Sequence, residues 1–260
     1  DVLFIGDPIE FEGNFLRTLA KKPPLVMTWR AAIIPETIDW SGIDVFLSTL
    51  TGLREEALRR GAGQAIHFLP GFPEWIAGRV SHVQPQYDVV FAGQYNEKLH
   101  IRRSAIIRAI AAGASRGDFT CGLYLSAVPG SLPPEVASFD KGQRYGMAMH
   151  EALRSGRISV DGQGLIGLVG NDGRFVRDLA RGETANMRIF ETTGCGVFML
   201  TEHKSNLAQM FTPGVEIETF GGIKDLLDKI RFYIANPDKR EAIARAGQAR
   251  CLRDLSLIHI

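Results

Sequence analysis

The stretch from Glu183 to Glu202 constrains this chain more than any other. Two carboxylates, Glu183 and Glu191, stand with seven residues between them. Among those seven are Asn186, a helix-capping residue type, and Arg188, a fixed cation. Gly194 and Gly196 follow, then an apolar run from Val197 to Leu200. The pattern predicts a loop, a short helix opened by Asn186 and stopped near the glycines, and a buried strand. A nucleotide-handling α/β domain places that succession at its ligand edge. Carboxylates accept hydrogen bonds from sugar hydroxyls, and arginine answers phosphate.

Strand-like and helix-like segments alternate along the rest of the chain. Val2–Ile5, Leu25–Trp29, Val45–Ser48 and Ala65–Leu69 read as strands. Helices are predicted over Glu12–Ala20 and over Leu53–Arg60, the second ended by Gly61. Gly78 to Tyr87 is a polar, strand-poor connector, which sets a domain boundary near residue 84. Beyond it, strands are predicted at Asp88–Ala92, Thr120–Leu125, Arg157–Val160 and Val197–Thr201. Ile101–Ala112, Gly142–Ser155 and Asp225–Ala235 carry helical spacing, and Asn236-Pro237 opens a last helix. Such alternation predicts doubly wound parallel sheets. Gly162–Gly182 reads as a long glycine-rich loop, with a turn at Gly170–Gly173.

The run Asn186-Met187-Arg188-Ile189-Phe190-Glu191-Thr192-Thr193-Gly194-Cys195-Gly196 resembles the donor-binding segment of two-Rossmann-domain (GT-B) glycosyltransferases. It is closest to the CgeB-like, spore-maturation type, whose pattern is roughly Asn-Met-Arg-Leu-Phe-Glu-x-x-Gly-x-Gly. Similarity continues through Phe211–Glu216, the helix Lys224–Ala235, Asn236-Pro237 and Ile243–Arg250. It also covers Asp88–Gly93 with His100 and Arg103. The resemblance implies two Rossmann-like domains. Residues 1–84 would form a partial, acceptor-side N-terminal domain, and residues 85–254 a donor-binding domain. It implies a hexosyltransferase-type enzyme that moves sugar from a nucleotide-diphosphate sugar to a glycan, protein or small-molecule acceptor. Such enzymes commonly work without a bound metal, so no metal or other cofactor is expected. General-base chemistry would come from the first domain.

Each candidate has a functional and a structural reading. In the resembling family the later Glu of a Glu-x7-Glu pair takes both ribose hydroxyls, which makes Glu191 the foremost candidate; otherwise it is a surface helix glutamate. Glu183 has the offset to touch the transferred sugar, although its place in a loop leaves its aim open. Arg188 and Arg103 are candidates for the diphosphate, whose charge grows as the bond to the sugar breaks. Either could instead form a salt bridge on a helix. Asn186 is expected to cap its helix, with the N–H groups behind it open to an anion. Gly93 would let a phosphate or sugar approach backbone, or would serve a simple turn. His100 could donate to phosphate or sugar, or be structural. The resembling family tends to show Asn or His shortly after the strand that here ends in Ser159, Val160 and Asp161.

Gly162-Gln163-Gly164-Leu165-Ile166-Gly167 matches G-x-G-x-x-G, but turn residues follow where a dinucleotide site needs a continuing helix. NAD and FAD are therefore rejected. The serines lie in no nucleophile elbow, and the six histidines never pair at metal-ligand spacing. A formal net charge of +1 recruits neither nucleic acid nor an acidic membrane. No transmembrane run is present. Three unpatterned cysteines fit a reducing cytoplasm. The opening directly into a strand, and a last helix that reads as cut at Asp254, suggest a fragment. Residues 255–260 read as a non-natural tail, and the fragment is expected to risk losing catalysis. Two other readings share the donor pocket or the family: a GT-B-like sugar epimerase or hydrolase, and a non-catalytic nucleotide-sugar-binding or coat-assembly protein.

Overall fold

A computed structural model describes residues 1–255. The elements run, in chain order, β1 (Val2–Ile5), α1 (Gly13–Thr18), β2 (Leu25–Trp29), β3 (Ile34–Pro35), β4 (Val45–Ser48), α2 (Thr51–Arg59) and β5 (Gln64–His67). They continue with α3 (Trp75–Val80), β6 (Tyr87–Gln94), α4 (Ile101–Ser115), β7 (Cys121–Ser126), α5 (Pro134–Ala137), α6 (Gly146–Arg154) and β8 (Gly156–Asp161). The last are β9 (Gly167–Val169), β10 (Phe175–Asp178), α7 (Met187–Gly194), β11 (Phe198–Glu202), β12 (Glu218–Phe220), α8 (Ile223–Ala235) and α9 (Pro237–Asp254). The chain is α/β and forms two compact units, each with a parallel sheet of Rossmann-like build. The first unit holds residues 1–70 and 165–185, and the second holds 71–164 and the described residues from 186 onward.

In the first unit, β1, β2, β4 and β5 form a four-stranded parallel sheet in that order. Each new strand joins on the same side as the last. Val26, Phe46, Trp40, Leu50 and Leu53 fill the core, and the Trp40 indole N–H donates to the Pro8 carbonyl at 2.9 Å. α2 stops at Gly61, whose φ of +95° suits glycine.

The glycine-rich stretch after β8 is structured. β9 and β10 form an antiparallel hairpin around the expected turn at Gly170–Gly173, and β9 pairs in parallel with β3. This hairpin belongs to the first unit, so the expectation of one long loop is corrected. Ile166, Leu168 and Leu179 are buried in that unit's core. Leu165-Ile166-Gly167-Leu168-Val169 is an apolar run, but the glycines in and around it, at 162, 164, 167 and 170, read as a loop. Arg177 pairs with the buried Glu56 at 2.6 Å, and Arg181 with Glu55 at 2.7 Å.

In the second unit the sheet order is β12-β11-β8-β6-β7, all parallel. From β6 the chain passes to β7 on one side, then returns beyond β6 to β8 on the other. The order therefore reverses between β6 and β8. Ile106, Ile107 and Ile110 of α4, as expected, pack with Val89, Phe91, Ile158, Phe198 and Leu200. The unit also takes in α3, whose last turn enters the stretch read as a connector. Leu255, the described residue of the suspected tail, is buried and its carbonyl accepts the Phe72 N–H at 3.0 Å. The remainder of that stretch lies outside the described residues.

Candidate functional site

Open α/β sheets bind ligands outside the carboxyl ends of the strands, where the strand order reverses. In the second unit that point lies beyond Gly93 and Gln94 of β6 and Asp161 of β8. α4 opens just after β6, and α7 sits between β8 and β11 in sequence. The N-termini of both helices are thus brought to this edge.

α7 starts as its sequence dictates. Asn186 Oδ1 accepts the Arg188 N–H at 3.1 Å, capping the first turn. Asn186 Nδ2 donates to Asp161 Oδ1 at 2.6 Å, which ties the cap to the end of β8. Asp161 is buried, and the loss of water raises its pKa in spite of the nearby Arg103 and Arg188. On the next turn, Arg188 Nη1 donates to Glu191 Oε2 at 2.7 Å. Both side chains are only 18% exposed, so this pair is far less screened than a surface one. Glu191 Oε1 has no hydrogen-bond partner among the described residues. Arg188 also touches the Met149 sulfur.

α4 supplies the other side. Its N-cap residue, His100, is buried and its Nε2 lies 3.0 Å from Gln94 Oε1. Burial, aided by Arg103, pushes the His100 pKa down to about 4, so the ring is neutral at pH 7. Arg103 Nε donates to the Gly162 carbonyl at 2.6 Å. Burial lowers its pKa, and Asp161 and Glu202 oppose that effect. The glycines of the G-x-G pattern make room for this helix. A Cβ on Gly162 would fall 2.7 Å from Ile106 Cδ1, and one on Gly164 would fall 3.0 Å from Arg103 Nη2. No helix opens there, in keeping with the rejection of a dinucleotide site.

Arg188 and Gly93 line one hollow of about 340 Å³, with Gln94, Tyr124, Arg144 and Tyr145. That volume is within the range of small-molecule sites. Gly93 lacks positive φ; a Cβ there would press on Phe91 at 3.2 Å. Tyr145 is 73% exposed, and the Arg144 guanidinium lies 5.9 Å from the Tyr124 ring centroid.

Gly93, His100, Arg103, Asn186 and Arg188 thus gather at one sheet edge, with Glu191 held through Arg188. Glu183 is placed in the first unit. Its Oε2 accepts the Thr51 N–H at 2.7 Å and its Oε1 accepts the Thr51 hydroxyl at 2.9 Å. Leu50, the N-cap residue of α2, has no capping side chain, and Glu183 fills that gap from another part of the chain. Sequence reasoning missed Asp161 and Glu202 as site residues. Both are buried carboxylates at strand ends, and the Glu202 Oε2 accepts the Gln163 N–H at 3.0 Å while Arg102 pairs with its other oxygen. An acidic residue closing an otherwise apolar strand was the available signal. Tyr145, next to Arg144 before the Gly146 helix start, carried no pattern of its own.

Among the described residues, no cluster of three or more His, Cys, Asp or Glu could hold a metal. No described helix is long and apolar enough to cross a membrane. The three cysteines are free and buried.

No curated protein matches the sequence. Solved structures do match the fold. A glycosyltransferase from Rickettsia africae has 9% identity and a TM-score of 0.59, covering 99% of this chain and 73% of that one. Anabaena HepE, solved with UDP-glucose, has 12% identity and a TM-score of 0.59, covering 90% and 69%. Sucrose-phosphate synthase from Thermosynechococcus elongatus has 11% identity and a TM-score of 0.56, covering 94% and 66%. This chain therefore spans about two thirds of the length of such proteins. Identities this low speak to fold alone. The family model described as glycosyl transferase-like matches residues 126–260, just over half of the sequence and most of the second unit's sheet and helices. By that match, the chain belongs to the glycosyl transferase-like family.

Proposed function

We propose that this protein transfers a sugar from a nucleotide-diphosphate donor, and that the strand-order reversal of the second unit is its donor site. The observation that carries the reading is the coupled start of α7. One residue, Asn186, caps the helix and is anchored to Asp161, while Arg188 stands at a hollow with Glu191 bound behind it. In this reading Arg188 and the α7 N–H groups answer the diphosphate. Glu191 accepts the ribose hydroxyls with the oxygen that Arg188 leaves open. Arg103 holds the Gly162 loop and adds positive potential. Neutral His100 is a hydrogen-bonding group at the head of α4, and Gly93 permits close approach along β6. Glu183 is assigned to α2 instead of the sugar.

The chemistry asks little of the protein beyond charge. As the bond from the anomeric carbon to the phosphate oxygen breaks, the leaving diphosphate gains negative charge. A guanidinium already fixed by Glu191 and Met149 stabilises that charge without reorganising. The reaction needs no metal in this account. UDP bound to the HepE structure makes a uridine nucleotide the first donor to try. The CgeB-like subtype rests on the Asn186–Gly196 run, and a cytoplasmic location on the three unpaired cysteines.

The test is a transfer assay on the full chain with a panel of UDP- and GDP-sugars, with and without EDTA. Mass analysis should find free nucleoside diphosphate and a glycosylated acceptor, at a rate cut at least tenfold by Arg188→Gln. Epimerised sugar would assign an epimerase. Absence of binding by every nucleotide would remove the donor site and favour a structural role in coat assembly.

A further inference from the structure

A second hollow, of about 420 Å³, lies at the opposite edge of the same sheet, where β8 and β11 begin. We propose that it binds a small phosphate-bearing molecule, independently of the donor site. Four arginines line it: Arg154, Arg157, Arg240 and Arg245. Among the described residues, the only carboxylate in the lining is Glu241.

Pairing within the protein does not use up this charge. Arg157 is met by Asp88 at 2.8 Å. Glu241 is shared, 3.6 Å from Arg240 and 3.7 Å from Arg245. Arg240 is buried and gives Nη1 to the Tyr233 carbonyl at 2.8 Å. Arg154 pairs with no carboxylate among the described residues. Its Nη1 donates to the Gly196 carbonyl at 3.1 Å, and its Nε is buried without a partner. Arg154 is half-buried, and a buried donor left unbonded is costly. An oxyanion in the hollow would supply the counter-charge that the four arginines lack. Phosphate suits the planar guanidinium fork, and several arginines can share its oxygens.

Helix ends account for only two of the four arginines: Arg154 answers the Gly196 carbonyl just past α7, and Arg240 the Tyr233 carbonyl in the last turn of α8. The Gly194 carbonyl is answered by Gln248 at 3.0 Å. The hollow is also distinct from the donor edge. It faces the amino ends of the strands, where open α/β sheets do not place their main ligand. α7 spans the two edges, with Arg188 at one end and Cys195 and Gly196 at the other.

The experiment is a calorimetric titration of the full chain at low ionic strength with inorganic diphosphate and, separately, with a hexose phosphate. Wild type is compared with Arg154→Gln, Arg245→Gln and Arg188→Gln. Saturable binding is expected, at least tenfold weaker in Arg154→Gln, several-fold weaker in Arg245→Gln, and retained in Arg188→Gln. Arg245 is exposed, so its variant decides the matter if Arg154→Gln does not fold. Tighter binding of the hexose phosphate would mark an organic ligand, and equal binding a free anion. No saturable binding, or binding lost in Arg188→Gln and intact in both other variants, would overturn the proposal.

Discussion

The two units carry sheets of the same parallel type and differ in how the strands are laid down. In the first unit's four-stranded sheet, each strand joins on the same side, and its order shows no reversal point among the described strands. In the second, the order reverses between β6 and β8, and candidate residues collect there. The two glutamates of the Glu183–Glu191 pair divide along the same line. Glu183 spends both oxygens on Thr51 at the head of α2. Glu191 gives one oxygen to Arg188 and keeps the other open. Residues of one type, equally conspicuous in sequence, acquire different work from the strand order around them.

Acid should separate the units most strongly. His100 in the second unit is buried neutral, with its pKa pushed down to about 4. A group held below its unfolded value contributes stability that is complete above the unfolded pKa of about 6.5. That contribution is lost as pH falls from there towards 4. The full loss is ~3 kcal/mol, because each pH unit between the folded and unfolded values counts for about 1.4 kcal/mol. Amide exchange between pH 7 and 4 should therefore open α4 and β6 well before the core strands β2 and β4. His100→Gln should flatten that dependence; an unchanged profile would mean the ring already titrates normally.

Next come two glycines whose missing Cβ permits a close approach, one in each unit. A Cβ on Gly52 would stand 2.4 Å from the Leu179 carbonyl oxygen, and one on Gly247 would stand 2.2 Å from that of Glu216. Each alanine variant should cost about 1–3 kcal/mol in denaturant titration, the range for an overfilled core. Gly52→Ala should loosen the β9–β10 hairpin from the first unit, which limited proteolysis within residues 165–185 would detect. Gly247→Ala should leave that segment protected.

Smaller effects distinguish the two helix caps. Asn186→Ala and Glu183→Ala should each lower stability by about 1 kcal/mol, as lost caps do. Only Asn186→Ala should also weaken nucleotide binding, because it uncaps the turn that carries Arg188 and leaves Asp161 without its amide partner. Equal effects of both variants on binding would erase the contrast between the glutamate environments.

Much of the fold was legible from residues. The strands β2 and β4 and the start of α7 follow directly from apolar runs and from Asn186. The end of α2 was marked by Gly61. Several elements were not legible, for physical reasons. The three residues of β12 and the four of α5 are too few to establish a period. The β9–β10 hairpin is stabilised by pairing with β3 and by ion pairs to α2, contacts more than a hundred residues away in sequence. The site was legible where one short helix wrote it, from Asn186 to Glu191. It was illegible where tertiary structure supplied the partner, as with Asp161 beneath Asn186 and Thr51 beside Glu183.

The most direct test compares UDP-induced thermal stabilisation of wild type and Glu191→Ala. At a hundredfold excess over Kd the wild type should gain about 2.7 kcal/mol. Glu191→Ala should lose most of that gain, with an unliganded melting temperature close to that of the wild type. Equal stabilisation of the two proteins by UDP would contradict the assignment of Glu191 to the ribose, and with it the donor site at the head of α7.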